Sequence, residues 1–179
     1  MARYAMTIDT RTCMGCTSCV VACKVENQVD TPFFRNCVVQ QISGEFPDLR
    51  LVNIRENCNM CSEAACVANC PTGASHIEPK WGLVEIDESL CTGCKACIAA
   101  CPYDARFINR KGYAEKCTFC LPRLKEGLDP ACVATCPCQA ITVGDLKDPS
   151  SKIASLLAMR KYWTLKPEAG TQPNVFYLE

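Results

Sequence analysis

Cysteine spacing constrains this chain more than any other feature of its sequence. Of 179 residues, 18 are cysteine, and sixteen of those fall into four tight quartets. The first is Cys13, Cys16, Cys19 and Cys23; the second Cys58, Cys61, Cys66 and Cys70; the third Cys91, Cys94, Cys97 and Cys101; the fourth Cys117, Cys120, Cys132 and Cys136. Such density signals either a disulfide scaffold or a metal protein. Cysteines two residues apart across a short loop suit ligation of one centre better than separate disulfides, whose Cβ geometry is demanding. Quartets one and three read C-x2-C-x2-C-x3-C, the bacterial ferredoxin run, in which the fourth cysteine ligates the other cluster of a pair. Quartet two lengthens the middle gap to four residues and quartet four to eleven. Three thiolates in one loop match three corners of a cubane, and the fourth lies one helical turn, ~5.4 Å, further along. Thiolate is the soft, anionic donor that iron–sulfur clusters require. Quartet four alone could pass for a structural zinc site; the paired ferredoxin runs point to iron.

The quartets sit in an internal repeat. Ile8-Asp9-Thr10-Arg11-Thr12-Cys13-Met14-Gly15-Cys16 matches Ile86-Asp87-Glu88-Ser89-Leu90-Cys91-Thr92-Gly93-Cys94, so the chain reads as two ferredoxin-like halves. Pro71, Pro102 and Pro137 each follow a fourth cysteine and are expected to end the local helical turn; Lys24 takes that place in quartet one. A short helix is expected over 20–27, a strand over 51–54, and a hairpin joining 75–78 to 83–86 around Lys80-Trp81-Gly82. Residues 152–163 form an amphipathic helix candidate, with Ile153, Leu156, Leu157 and Trp163 near one face. The tail over 164–179 ends in Val175-Phe176-Tyr177-Leu178, and an extended apolar ending is expected to lie on something, such as another subunit. Residues 1–150 are therefore read as a four-cluster domain and 151–179 as an amphipathic helix with a partner-docking tail.

Charge and missing motifs exclude several functions. Nineteen basic and nineteen acidic residues give a formal charge of zero. Four oxidised cubanes would add about −2 each, roughly −8 in all, so the loaded protein is acidic, with Lys and Arg offsetting buried cluster charge. With no strongly basic face, nucleic acid is not an expected partner. No apolar run approaches the ~20 residues of a membrane span, and the opening MARYAMTIDTRTC shows neither a signal-peptide core nor a twin-arginine pair. Neither a G-x-G-x-x-G nor a Walker sequence occurs, and with His76 the sole histidine the chain lacks a nucleophile–base set. Cys37 and Cys138 remain outside the quartets and are expected to be free thiols. His76 is assigned to the hairpin surface or the surroundings of a cluster.

The stretch CPTGASHIEPKWGLVEIDESLCTGCKACIAACPYDAR over 70–106 resembles a two-cluster ferredoxin core. With RYAMTIDTRTCMGCTSCVVACKVEN at the start, KCTFC at 116–120 and PACVATCP at 130–137, the whole chain resembles the four-cluster electron-transfer subunits of the molybdenum or tungsten bis-pterin oxidoreductases, the dimethyl sulfoxide reductase superfamily. The polysulfide, thiosulfate and arsenate reductase subunits are the most similar branch. The resemblance implies an α+β fold of two fused ferredoxin-like halves in a pseudo-twofold arrangement, with a loop-rich, cluster-filled core. It implies four [4Fe–4S] clusters held by Cys13, Cys16, Cys19 and Cys136; by Cys117, Cys120, Cys132 and Cys23; by Cys58, Cys61, Cys66 and Cys101; and by Cys91, Cys94, Cys97 and Cys70. It further implies a large molybdopterin catalytic subunit as partner, an integral membrane quinol-oxidising subunit or a soluble carrier as electron donor, and export into the periplasm together with the catalytic partner. A cytoplasmic location, a stand-alone polyferredoxin, an electron-transfer subunit of a hydrogenase or formate dehydrogenase, and a zinc-binding module are the alternatives.

Overall fold

The structure, a computed structural model, describes residues 2–179. Strand β1 (Tyr4–Asp9) leads into the first cysteine loop and helix α1 (Ser18–Glu26). A hairpin of β2 (Asn36–Ser43) and β3 (Arg50–Asn57) follows, then the second cysteine loop with the single helical turn α2 (Ala65–Ala68). Strands β4 (Ser75–Ile77) and β5 (Val84–Ile86) pair antiparallel and deliver the third loop with α3 (Ala96–Ala99). After the small hairpin β6 (Phe107–Ile108) and β7 (Ala114–Glu115) come α4 (Leu121–Lys125) and α5 (Ala131–Ala134), which carry the fourth loop. Strand β8 (Ile141–Asp145), helix α6 (Lys152–Met159), strand β9 (Tyr162–Trp163) and strand β10 (Val175–Leu178) close the chain. This is a mixed α/β fold of ferredoxin type.

Four strands form one sheet in the order β8-β1-β10-β9. The apolar run of β10 now has its explanation. It pairs parallel with β1, Met6 opposite Val175 and Asp9 opposite Leu178, and all four of its residues are buried. A strand flanked on both edges and covered on both faces reads as continuous rather than alternating hydrophobicity. The expectation that the tail lies on another subunit is corrected for these residues: they form an interior strand of this chain's own sheet. Residues just before them also lie on this chain. The Ser62 amide donates to the Gln172 carbonyl at 3.0 Å, and the Asn174 amide nitrogen Nδ2 donates to the Met60 carbonyl at 2.6 Å.

The predicted helix over 152–163 is shorter in the structure. Ser151 caps it, its Oγ accepting from the Ala154 amide at 3.3 Å. Ile153 is fully buried against Ala5 and Phe176, and the glycine at 144 leaves room for that approach, since a Cβ there would lie 3.1 Å from the Ile153 side chain. Beyond Met159 the backbone turns extended because Trp163 pairs with Tyr177 and stacks on its ring at 4.5 Å between centroids. No local stop signal ends α6; sheet pairing does. The other expectations hold with shifted ends: the helix near 20–27 begins at Ser18, the strand near 51–54 runs on to Asn57, and the 75–86 hairpin forms.

Four cysteines, Cys19, Cys58, Cys117 and Cys132, belong to the main buried cluster together with Met6, Ile8, Ile54, Met60, Leu83, Val84, Phe119 and Tyr177. The thiols are part of the core rather than a decoration on it.

Candidate iron–sulfur centres

Each cysteine loop reverses tightly before its helical turn. In the two ferredoxin runs Gly15 (φ +71°) or Gly93 (φ +67°) lies between the first two cysteines, and left-handed Thr17 or Lys95 follows the second cysteine at the helix start. The turn gathers the three thiols of each run around one pocket. Gly93 packs against the Gly112 carbonyl and Gly15 against the Asn53 side chain, so neither tolerates a Cβ without movement.

The structure gathers the thiols of different quartets. Cys13, Cys16, Cys19 and Cys136 line one pocket, which we term A, together with Cys138 and Arg55. Cys58, Cys61, Cys66 and Cys101 line pocket C, with Arg106 and Thr171. Cys70, Cys91, Cys94 and Cys97 line pocket D, again with Arg106. In the remaining group, B, the Cys23 thiol faces Cys120 and Cys132, the Cys117 thiol faces Cys23 and Cys132, and Asn27 Nδ2 reaches the sulfurs of Cys23 at 3.6 Å and Cys120 at 3.9 Å. Each group thus takes three thiols from one run and one from another. α1 packs against α5, and α2 against α3, which brings each fourth cysteine across to its partner run.

Electrostatics separates the groups. All four thiols of B are buried, whereas A exposes Cys16 and D exposes Cys94. Burial pushes the Cys23 thiol up to about 11 and raises Cys117 further; in C, burial pushes Cys61 up to about 11. Protonated thiols are the stable state of such a site until a cation compensates the thiolates. Backbone amides already aim at the sulfurs: Ser75 donates to Cys70 at 3.3 Å, Ala114 to Cys91 at 3.4 Å and Ala140 to Cys136 at 3.4 Å.

These sites fit a group larger than one ion. Among the described residues, no three Cys, His, Asp or Glu side chains converge closely enough to hold a single metal ion, as a zinc site with Zn–S near 2.3 Å requires. Buried donors without protein partners also face the thiols, namely Nε and Nη2 of Arg55 and Nε and Nη1 of Arg106. Buried guanidinium N–H groups need acceptors, and anionic, sulfur-rich clusters supply them.

Three side chains were not singled out in the sequence: Arg55, Arg106 and Lys116. Nothing in their local sequence announces burial, because Arg and Lys side chains are mostly exposed in folded proteins. Lys24, by contrast, donates to the carbonyls of Asp30 and Phe33 and lies over the Phe34 ring. It anchors a loop. His76, half-buried in β4, pairs across the hairpin with Glu85. Cys37 is exposed on β2 and lines none of pockets A, C and D.

The family model described as "4Fe-4S dicluster domain" matches residues 50–146, and one described as "4Fe-4S binding domain" matches residues 10–26. A tetrathionate reductase subunit of Salmonella typhimurium is 47% identical over 98% of this chain and 72% of that protein. A polysulfide reductase subunit of Wolinella succinogenes is 40% identical over 97% of this chain and 93% of that protein. The arsenate respiratory reductase iron-sulfur subunit ArrB of a Shewanella species is 36% identical over 98% of this chain and 96% of that protein. With its ferredoxin-type cysteine loops and these relatives, the chain belongs to the 4Fe-4S dicluster family, among the iron–sulfur electron-transfer subunits of the molybdopterin oxidoreductases.

Proposed function

We propose that the sixteen quartet cysteines hold four [4Fe–4S] clusters, one in each of groups A, B, C and D, in two halves related by a pseudo-twofold axis. A and B make one half and C and D the other. The observation that carries the reading is the crossed grouping of thiols, three from one run and one from its partner, repeated four times. Cys138 shares pocket A, but the Ala140 amide donates to Cys136, which favours Cys136 as the ligand. When bound, the clusters would supply one-electron carriers.

The protein's part is insulation and access. Buried residues such as Phe119, Met60 and Leu83 keep the interior dry, while Cys16 and Cys94 bring A and D to the surface at the two ends of the series. We assign one end to a molybdenum or tungsten bis-pterin catalytic subunit, and the other to a membrane quinol-oxidising subunit or a soluble carrier. The names of the relatives put tetrathionate, polysulfide and arsenate first among the substrates of that catalytic partner. No helix among the described residues is long and apolar enough to cross a membrane. We place the complex in the periplasm, exported with its catalytic subunit.

Because β10 and α6 pack within this chain, neither supports a docked state over a stand-alone polyferredoxin. The β2–β3 hairpin does: Ile42, Phe46, Leu49 and Leu51 are all exposed at its outer end, an apolar surface unusual in a free carrier. An anaerobic pull-down from the native cell with metal analysis tests the reading. About sixteen iron atoms per chain, with co-eluting molybdenum or tungsten in a large subunit, is the expected result. Iron without a second metal or large partner would favour the polyferredoxin, and zinc without iron would refute both.

A further inference from the structure

Three basic side chains are among the most deeply buried in the molecule: Arg55 at 1%, Lys116 at 2% and Arg106 at 5% exposure. Cations of this kind are almost never fully buried without compensation. None of the three makes an ion pair with a carboxylate; the described ion pairs are Arg35–Glu115, Arg123–Glu26 and Arg160–Asp9. Their positions follow a rule. Arg55 lines pocket A, and its charge acts on Cys19 of A and on Cys23, Cys117 and Cys132 of B. Arg106 lines both C and D and donates from Nη2 to the Cys66 sulfur at 2.8 Å. Lys116 donates to the Cys117 carbonyl of B at 2.9 Å and to the carbonyl of Val84, which lines pocket C, and it acts on Cys66 of C. Glu85, which feels Lys116, is pushed by burial toward its neutral form.

We propose that Arg55, Lys116 and Arg106 form a ladder of buried cations, one at each junction A|B, B|C and C|D, which stabilises the reduced state of the clusters on either side. The inference rests on the four-cluster reading above. Its physical content is compensation. Reduction adds one negative charge to an already anionic cluster, and burial makes that addition costly. Groups B and C lie deepest, where water helps least, and each is flanked by two of the cations. A and D expose Cys16 and Cys94 to water and are flanked by one each. The ladder therefore raises the inner potentials most and prevents a downhill-then-uphill barrier in the middle of the relay. Cluster charge, hydrogen bonds to sulfur and solvent exposure are the factors that set such potentials.

An EPR-monitored redox titration of the anaerobically purified complex tests this without any turnover assay. In Arg55→Met, two of four midpoints should fall by at least tenfold in the reduction equilibrium, 59 mV for a one-electron couple. Arg106→Met should move the other two. Lys116→Met should move one from each pair, and this overlap is what a ladder predicts and a general loosening of the fold does not. Iron should stay at the wild-type level. Unmoved midpoints, or a uniform shift of all four, with iron intact would overturn the proposal. Where a methionine variant fails to keep its iron, Arg55→Lys and Arg106→Lys decide: the retained charge should hold the midpoints within threefold of wild type, and a tenfold fall would overturn the proposal by showing that fork geometry rather than charge is responsible. Fewer than four clusters in the wild-type complex would break the four-cluster reading itself; four clusters with unmoved potentials would break only the ladder.

Discussion

The Tyr177 hydroxyl donates a 2.8 Å hydrogen bond to the Arg55 carbonyl, both residues being almost completely buried. The bond ties strand β10 to hairpin strand β3, whose Arg55 side chain lines pocket A, across 122 residues of sequence. Tyr177→Phe would leave the Arg55 carbonyl unpaired in the core. The expected cost is about 1–3 kcal/mol, which for a chain of this size lowers Tm by roughly 3–10 °C. Thermal unfolding of the iron-loaded protein under anaerobic conditions measures it; an unchanged Tm would show that water reaches that carbonyl.

Gly93 holds a left-handed turn against the Gly112 carbonyl inside the third cysteine loop. Gly93→Ala should displace the loop and cost one cluster, taking iron from about sixteen to about twelve per chain. Gly73 is also left-handed (φ +71°) but faces open space, so Gly73→Ala should keep full iron and lose only about 1–2 kcal/mol. Equal iron in the two variants would remove steric packing as the reason for glycine at 93.

Cysteine substitutions should sort into two classes. Cys94→Ala should lose or convert the cluster of group D and weaken the whole fold, visible as a changed EPR spectrum and lowered iron. Cys37→Ser, on the exposed hairpin, and Cys138→Ser should keep wild-type iron. A Cys138→Ser protein that loses one cluster would transfer the ligand role in pocket A from Cys136 to Cys138.

Metal removal should unfold the protein. Cys19, Cys58, Cys117 and Cys132 are core residues, and without iron their thiolates have nothing to organise. Chelation under reducing, anaerobic conditions should abolish most of the far-UV dichroism; retained dichroism after iron loss would show that the β8-β1-β10-β9 sheet is stable alone.

Asp9 ends β1 and accepts from Arg160 and from the Arg11 amide. Burial opposes its ionisation, but these donors outweigh burial and hold the carboxyl below its usual range. A carboxyl depressed in the folded state contributes stability that is complete above its unfolded pKa, about 3.9, and is lost as pH falls through the folded value. Asp9→Asn should lower Tm by on the order of 2 °C at pH 7. The gap from wild type should stay constant from pH 8 to 5 and narrow below about pH 4. A gap that persists in acid would assign the effect to shape rather than charge.

The spacing of sixteen cysteines, the repeat of Ile8–Cys16 at Ile86–Cys94 and the prolines after Cys70, Cys101 and Cys136 already carry the cluster chemistry and the ferredoxin-type loops, because ligand reach and turn geometry act over a few residues. Hairpin 75–86 was legible for the same reason: its turn signals are local. What only the tertiary structure decided is everything set by distant neighbours. The run Val175–Leu178 looks like an exposed apolar tail until β1 on one side and β9 on the other make it an interior strand. Helix α6 stops at Met159 because Trp163 is claimed by Tyr177, not because any residue there breaks a helix. Arg55, Lys116 and Arg106 look like ordinary surface cations in the sequence, since a charge is buried only where opposite charge awaits it, and the thiols that await these three come from loops far apart along the chain.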